Sequence, residues 1–382
     1  MCGFGMGRGQ ALQQETVIRG GTIVTAQGLM ETDVWIADGK IARWGMDTLR
    51  AKKQVSRPKE IDATGMYLLP GFVAMAPPHL QRLKGADYLQ EVRAMIRTGC
   101  TTLLDVLLPE RWMDRAQVAY LKTNHYDSPI DYVWHVGLEV PRFTAKEVLE
   151  WCRQGFRTIR LYLRHLGDIS TLEWETISQI LTSYRAMLHL HLPSRLALGR
   201  ADREELRRRW MEVTRFWNIR IVVEQMLPPF EEEDFEKYYH LYWLDTEHTD
   251  RGLRALHRQW YDSCPIASSI KDIRCDYRRK WCSEEELLSL LVRLASRNVA
   301  KAFGLYPRKG SLAPGADADI LFLKKEYWLT KMDSSTILNF SEIQLPTSVM
   351  SNGIWIYRDL HFLPVLGLGR CLRDTRPYSY VI

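Results

Sequence analysis

From residue 15 to residue 69 the apolar positions come in short alternating runs that end at turn residues. The stretch "TVIRGGTIVTAQG" is rich in β-branched residues and stops at Gly28. The stretch "DVWIADGKIARWG" is two alternating runs joined by Asp38-Gly39, a dipeptide suited to a type I′ hairpin turn. "EIDATGMYLLPG" adds two more short strands, so residues 1–69 read as part of a small β domain.

Beyond Pro70 the period changes. "DYLQEVRAMIRTG" places Leu89, Val92 and Ile96 on one helical face and stops at Gly99, and "CTTLLDVLL" then runs apolar almost without a break, as a strand buried on both faces does. The alternation continues with strand "DYVWHVGLEV", helix "AKEVLEWCRQG", strand "TIRLYL", helix "TLEWETISQILTSYR", strand "MLHLHL", helix "REELRRRWMEVTRFW" and strand "IRIVVEQ". Strands that alternate with helices imply a parallel sheet, and over residues 70–309 a closed barrel fits. Its last helix has a capping box, Ser283 with Glu286, ahead of "LLSLLVRLA". Residues 310–382 return to short strands and turns in "KGSLAPGADADILFLKK" and "SNGIWIYRDLHF". A chain that begins and ends in β texture predicts one β-sandwich built from both termini, flanking the barrel.

Composition narrows the function classes. The 382 residues are 46% hydrophobic and 26% charged, as in ordinary globular proteins, and no apolar run is long enough to cross a bilayer, so no membrane partner is expected. "MCGFGMGRGQAL" lacks the apolar core of a secretory signal, and the expected address is cytoplasmic. Cys2, Cys100, Cys152, Cys264, Cys275, Cys282 and Cys371 show no paired spacing, which argues against a zinc knuckle or a disulfide framework. The net charge of +6 is spread along the chain and its basic runs also contain acids, so no nucleic-acid partner is expected. Thirteen tryptophans, several in amphipathic helices such as "EWCRQ", suit either packing or a subunit interface. No nucleophile elbow, phosphate loop or dinucleotide fingerprint follows a strand.

Three stretches carry a family likeness. "VIRGGTIVTAQGLMETDVWIADGKIARWG", "EIDATGMYLLPG" and "ASRNVAKAFGLYPRKGSLAPGADADILFL" resemble the cyclic amidohydrolases: dihydropyrimidinase, hydantoinase, allantoinase and dihydroorotase. "RTGCTTLLDVLLP", "DYVWHVGL" and "GFRTIRLYL" look like that family's second, third and fourth barrel strands, and "GLGRCLRD" like a dihydropyrimidinase tail. The resemblance implies an α/β fold, a (β/α)8 TIM-type barrel with a composite β-sandwich. It also implies two divalent ions at the C-terminal ends of the strands. Their ligands would be a His-x-His on strand one, a carboxylated lysine on strand four, one histidine each on strands five and six, and an aspartate on strand eight. Two ions about 4 Å apart polarise an amide carbonyl and generate hydroxide near neutral pH.

Few of these positions keep a donor in this chain. "LPGFVAMAPPHL" puts Ala76 and Pro78 at the strand-one histidines, and a one-residue slip that recruits His79 pairs it with Pro77. Alanine and proline side chains have no lone pair to give a metal. On strand four Leu166 falls at or next to the lysine, beside Arg164 and His165. Strand five offers His189 and His191, as a ligand remnant or as hydrogen-bonded packing. "IRIVVEQMLPPF" has Glu224 at a strand-six histidine; read instead as strand seven, with Pro228 and Pro229 near histidine positions, it implies a shortened barrel that has lost a βα unit. "CPIASSIKDIRC" puts Ser269 and Ile270 at the strand-eight aspartate, with Asp272 close by as a displaced ligand or a turn cap. The loop with Asp245, Glu247, His248 and Asp250 reads as a solvated acidic turn, and "FEEEDFEKYYH" as an exposed charged stretch.

The expectation is therefore a relative that has lost two-metal hydrolysis and serves as a binding or assembly protein. His189, His191, Glu224 and Asp272 would be the polar groups of the barrel mouth, with no cofactor. The possible occupant is a small cyclic amide, and the partner a second copy or an active homologous enzyme. The alternative is an active hydrolase of cyclic amide C–N bonds that uses one zinc ion or none.

Overall fold

The computed structural model describes residues 15–45, 58–109, 123–163, 172–191, 204, 208, 221–223, 241–243, 284–326 and 346–372. The N-terminal strands are β1 (Thr16–Arg19), β2 (Thr22–Thr25), β3 (Gly28–Glu31), β4 (Val34–Ala37), β5 (Lys40–Trp44), β6 (Lys59–Asp62) and β7 (Met66–Pro70). Asp38 and Gly39 turn β4 into β5 with φ of 52° and 73°, the two left-handed residues of a type I′ turn that the dipeptide favours. One sheet has the order β5-β4-β1-β6.

Beyond Pro70 lie β8 (Phe72–Met75), α1 (Gly85–Arg97), β9 (Cys100–Leu107), β10 (Asp131–Glu139), α2 (Ala145–Arg153), β11 (Thr158–Tyr162), α3 (Trp174–Ser183), β12 (Met187–His191), β13 (Ile221–Val223) and β14 (Leu241–Trp243). Strands β8 to β14 pair in sequence order, all parallel, as seven neighbours of a barrel sheet. Thr144 caps α2 by accepting from the Glu147 amide, a Thr-x-x-Glu start. Outward side chains such as Tyr132, Trp134, Ile159, Leu161, Leu188 and Leu190 pack with Val92 and Ile96 of α1, Val148 and Trp151 of α2, and Ile177 and Leu181 of α3. Inward side chains Val73, Leu104, Val133, Met187 and Val222 form a separate cluster.

The chain then enters α4 (Glu284–Val292), a π-helical turn (Arg293–Arg297) and α5 (Asn298–Ala302), followed by β15 (Ile320–Lys324), β16 (Ser348–Ser351), β17 (Ile354–Arg358) and β18 (His361–Phe362). The Ser296 hydroxyl donates to the carbonyls of Pro70 and Gly71 at 3.0 and 2.9 Å, which seats this helical segment at the N-terminal end of β8. From there Phe303 joins the inward cluster. The second sheet, β18-β17-β16-β15-β7-β2-β3, pairs β15 antiparallel with β7, so both ends of the chain share one sheet. Ile18, Val34 and Ile36 from the first sheet meet Leu68, Ile320, Phe322 and Met350 from the second in one core. The composite sandwich and the parallel barrel sheet expected from the sequence are both present.

Three readings need correction or completion. "IRIVVEQ" contributes β13 as the sixth strand, paired directly with the fifth, rather than the seventh. The seventh is β14, which the sequence reading passed over because three residues directly after an acidic, aromatic run carry little periodicity. Trp151 of "EWCRQ" is 5% exposed, packed at 5.3 Å on Phe156 and donating to Glu147, so it belongs to the core and not to an interface. Ser283 lies outside the described residues, as does the "CPIASSIKDIRC" segment. No helix among the described residues is long and apolar enough to cross a membrane.

A buried ion network ties barrel to sandwich. Lys309 Nζ lies 2.7 Å from Asp131, 2.6 Å from Asp319 and 3.1 Å from Asp317, with 1% of its side chain exposed. Arg370 reaches Asp131 and Asp317 at 3.0 and 2.8 Å, and Asn352 donates to Asp131 at 3.0 Å. Burial disfavours the Asp131 and Asp317 carboxylates, but Lys309 and the surrounding cations outweigh it and hold both below the usual carboxylate range. For Asp319 burial wins and raises it. The "PRKG" and "GADADI" stretches of the family likeness thus have a structural task.

Candidate functional site

Strands β10, β11 and β12 aim their alternate residues into the barrel. On β11 the apolar Ile159 and Leu161 face the helices, which sends Thr158, Arg160 and Tyr162 inward. On β12 Leu188 and Leu190 face outward, leaving Met187, His189 and His191 inward. Parallel pairing sets the levels: Gly137, Arg160 and His189 lie side by side, and Glu139, Tyr162 and His191 form the next level towards the strand ends, where Glu139 is exposed.

Arg160 Nη2 donates to His191 Nδ1 at 3.1 Å, so Nδ1 is the acceptor and the imidazole proton sits on Nε2. The guanidinium carbon lies 4.9 Å from the centroid of Tyr162, whose ring is 4.9 Å from that of His191. Gly137 makes this stacking possible, because a Cβ there would stand 2.7 Å from the Tyr162 ring and 2.5 Å from Leu108. One inward position below Gly137 lies His135, fully buried and stacked on Phe303 at 5.0 Å and 22°. His189, also fully buried, packs edge-on to the same ring at 5.6 Å and to His135 at 6.4 Å. Neither ring nitrogen of His135 has a hydrogen-bond partner among the described residues. Burial first, and His189 and Arg160 next, push its pKa well below the usual histidine range, so the imidazole is neutral.

Of the four residues singled out from sequence, the structure brings together His189 and His191. Glu224, the residue after β13, and Asp272 lie outside the described residues, as do Leu166 and Ser269. Ala76 follows β8, half-buried against the outward core, while Pro78 is exposed. His79 is a surface residue, 57% exposed and 3.6 Å from Glu91. Within β11 the basic residue in register with His189 is Arg160, ahead of Leu166 in the chain, and the described stretch ends at Leu163. Arg160 and His135 were missed from sequence, although the polar Arg160 between Ile159 and Leu161 was a usable sign.

The described residues do not supply the donor set of a binuclear centre: Ala76 and Pro78 offer no donor, while Leu166, Glu224, Ser269 and Asp272 lie outside the described residues. Among the described residues no group of three or more His, Cys, Asp or Glu could hold a metal ion.

A second polar cluster lies behind the sheet. His125 Nε2 is 2.9 Å from Asp105 and its Nδ1 is 2.5 Å from the Tyr88 hydroxyl, all three buried, with Gln81 donating to Asp105 at 3.0 Å. Burial raises the Tyr88 phenol, which stays protonated and donates to the imidazole. This cluster clamps the Thr123–His125 turn onto α1 and β9 and is closed to solvent.

The chain is similar to known proteins over most of its length. A family model described as "Amidohydrolase family" matches residues 270–356. A D-hydantoinase from Streptomyces coelicolor is 25% identical over 81% of this chain and 85% of its own. A D-hydantoinase from Ralstonia pickettii is 24% identical over 82% and 86%. Among solved structures, a D-hydantoinase superposes with a TM-score of 0.70 at 16% identity, covering 96% of this chain and 100% of that one. The dihydropyrimidinase from Brevibacillus agri gives a TM-score of 0.68 at 18% identity, covering 95% and 99%. With its composite sandwich, its parallel barrel sheet and these relatives, the chain is similar in fold to D-hydantoinases and dihydropyrimidinase, and over most of its sequence to D-hydantoinases.

Proposed function

We propose that this family member has left two-metal hydrolysis and uses its barrel mouth to bind a small ligand, acting as a binding or assembly protein. One observation carries the reading: an obligate cation, Arg160, stands beside His189, while Ala76 and Pro78 offer no donor on the first strand. A guanidinium attracts anions and repels divalent ions, so the barrel level that holds His189 disfavours a metal ion. The occupant is of the size and polarity of a cyclic amide or its derivative, and the partner is a second copy or an active homologue in the cytoplasm.

A second reading is favoured by the clustering of His135, His189 and His191: an active cyclic amidase with a reduced, one-zinc site. Hydrolysis assays on hydantoin, dihydrouracil, dihydroorotate and allantoin, with and without added zinc, separate the two. No turnover above the background rate supports the binding protein. Zinc-dependent turnover that is lost in His189→Ala supports the amidase and ends the first reading.

A further inference from the structure

Asn352 and Gly353 make the tight turn between β16 and β17, with φ of 50° and 76°. The second place needs glycine: a Cβ on Gly353 would stand 3.1 Å from the Ile36 side chain and 3.3 Å from the Gly39 Cα, in a backbone conformation that other residues rarely adopt. Asparagine is one of the few residues at ease in the first place. The shape of the turn therefore selects a dipeptide with chemistry of its own, because a glycine nitrogen reaches the preceding asparagine amide carbon with the least hindrance. No other Asn-Gly pair occurs in the chain.

The turn sits where barrel, sandwich and C-terminal tail meet, and Asn352 is 9% exposed. Its Nδ2 donates to Asp131 Oδ1 at 3.0 Å, its Oδ1 accepts from Arg370, and its backbone amide donates to Asp319 at 2.8 Å. This orientation of the side-chain amide is the one that pairs donors with acceptors, since a carboxylate accepts and a guanidinium donates. The Gly353 N–H donates to the Ala318 carbonyl at 2.8 Å, and the Ala318 N–H to the Gly39 carbonyl at 2.8 Å. Nucleophile and leaving group are thus tied to different elements. A carboxylate in place of the amide would lose the donation to Asp131 and set two anionic oxygens at the present 3.0 Å separation, and like charges at that distance repel strongly where water is excluded.

We propose that Asn352–Gly353 is a modification site, a deamidation switch that is silent while the barrel–sandwich junction is closed and acts once the junction opens. The Gly353 nitrogen bonds to the Asn352 side-chain carbonyl carbon, the Cγ–Nδ2 bond breaks, and Nδ2 leaves as ammonia with the proton that the Gly353 nitrogen gives up. Water then opens the cyclic imide to aspartate or isoaspartate. The new carboxylate faces Asp131 and keeps the junction from closing as before, so a transient opening becomes a permanent one. The switch is independent of what the barrel mouth holds.

The test incubates the full-length protein at mildly alkaline pH, folded and unfolded in urea, and reads amide-to-acid conversion at Asn352 by peptide mass spectrometry. Conversion is expected at least about tenfold more slowly in the folded protein, because only the open fraction reacts. Lys309→Met removes the cation shared by Asp131, Asp317 and Asp319 and is expected to speed conversion in the folded protein at least about tenfold. Should it fail to fold, Arg370→Met, which frees Asn352 Oδ1, takes its place. Asn352→Asp reproduces one product, and hydrogen exchange at the Gly353 and Ala318 amides is expected to quicken at least about tenfold. Equal conversion in folded and unfolded protein, a junction variant no faster than the parent, or unchanged exchange in Asn352→Asp overturns the proposal.

Discussion

Arg160 on the fourth barrel strand stands in register with His189 on the fifth, and its guanidinium donates to His191 two residues further on. A guanidinium about 5 Å from a divalent ion repels it by roughly 7 kcal/mol at an effective dielectric near 20. That repulsion is comparable to a substantial part of a metal site's binding free energy.

His135 links stability to pH. Its folded pKa is depressed, while the unfolded value is about 6.5, so its contribution is fully present above about pH 6.5 and is lost as pH falls below that. His135→Leu removes an unpartnered buried imidazole and is expected to stabilise the fold by about 1–3 kcal/mol. Urea unfolding near pH 7.5 and pH 5.5 should show the gain growing in acid. A loss of stability at both pH values would mean that the imidazole has a partner that holds it.

Lys309 forms ion pairs with three buried aspartates at once, alongside Arg370, Arg308 and Lys40. Lys309→Met leaves Asp131, Asp317 and Asp319 with too few cations and should cost about 3–5 kcal/mol, read as a lower urea midpoint. Because Asp131 and Asp317 titrate below their unfolded values, their contribution is present above about pH 4 and is lost as pH falls through the folded values. The variant should therefore lose stability less steeply in acid than the parent. A cost under about 1 kcal/mol would show that Arg370, Arg308 and Lys40 suffice without it.

Tyr88→Phe removes the donor to His125 and leaves a buried nitrogen unsatisfied, at a cost of about 1–3 kcal/mol. The loss should appear first as faster hydrogen exchange at the amides of Tyr126 and Ser128, which close the Thr123–His125 turn. Unchanged exchange there would remove the cluster's clamping role.

Gly137→Ala inserts a methyl group against the Tyr162 ring and Leu108. An expected cost of about 1–3 kcal/mol in stability comes with displacement of Tyr162 from the Arg160 guanidinium. Thermal unfolding reads the cost; an alanine tolerated without loss of stability would show that the ring of Tyr162 and Leu108 give way freely.

Much of the architecture was legible in the residues. Asp38-Gly39 marks a hairpin because few other dipeptides accept two left-handed residues, and the switch from period two to strand–helix alternation at Pro70 marks the barrel. The site was less legible for a physical reason. A strand buried on both faces, such as "DYVWHVGLEV", has no polar alternation to tell inward from outward, so His135 could not be separated from Trp134 beside it. Arg160 was hidden differently: its level beside His189 is set by the pairing of β11 with β12, which no local pattern in the sequence encodes.

The most direct measurement is metal content per chain, by elemental analysis of protein purified from zinc-supplemented growth medium. The account predicts well under one zinc per chain, unchanged by dialysis against excess zinc. Two equivalents retained through gel filtration would contradict it.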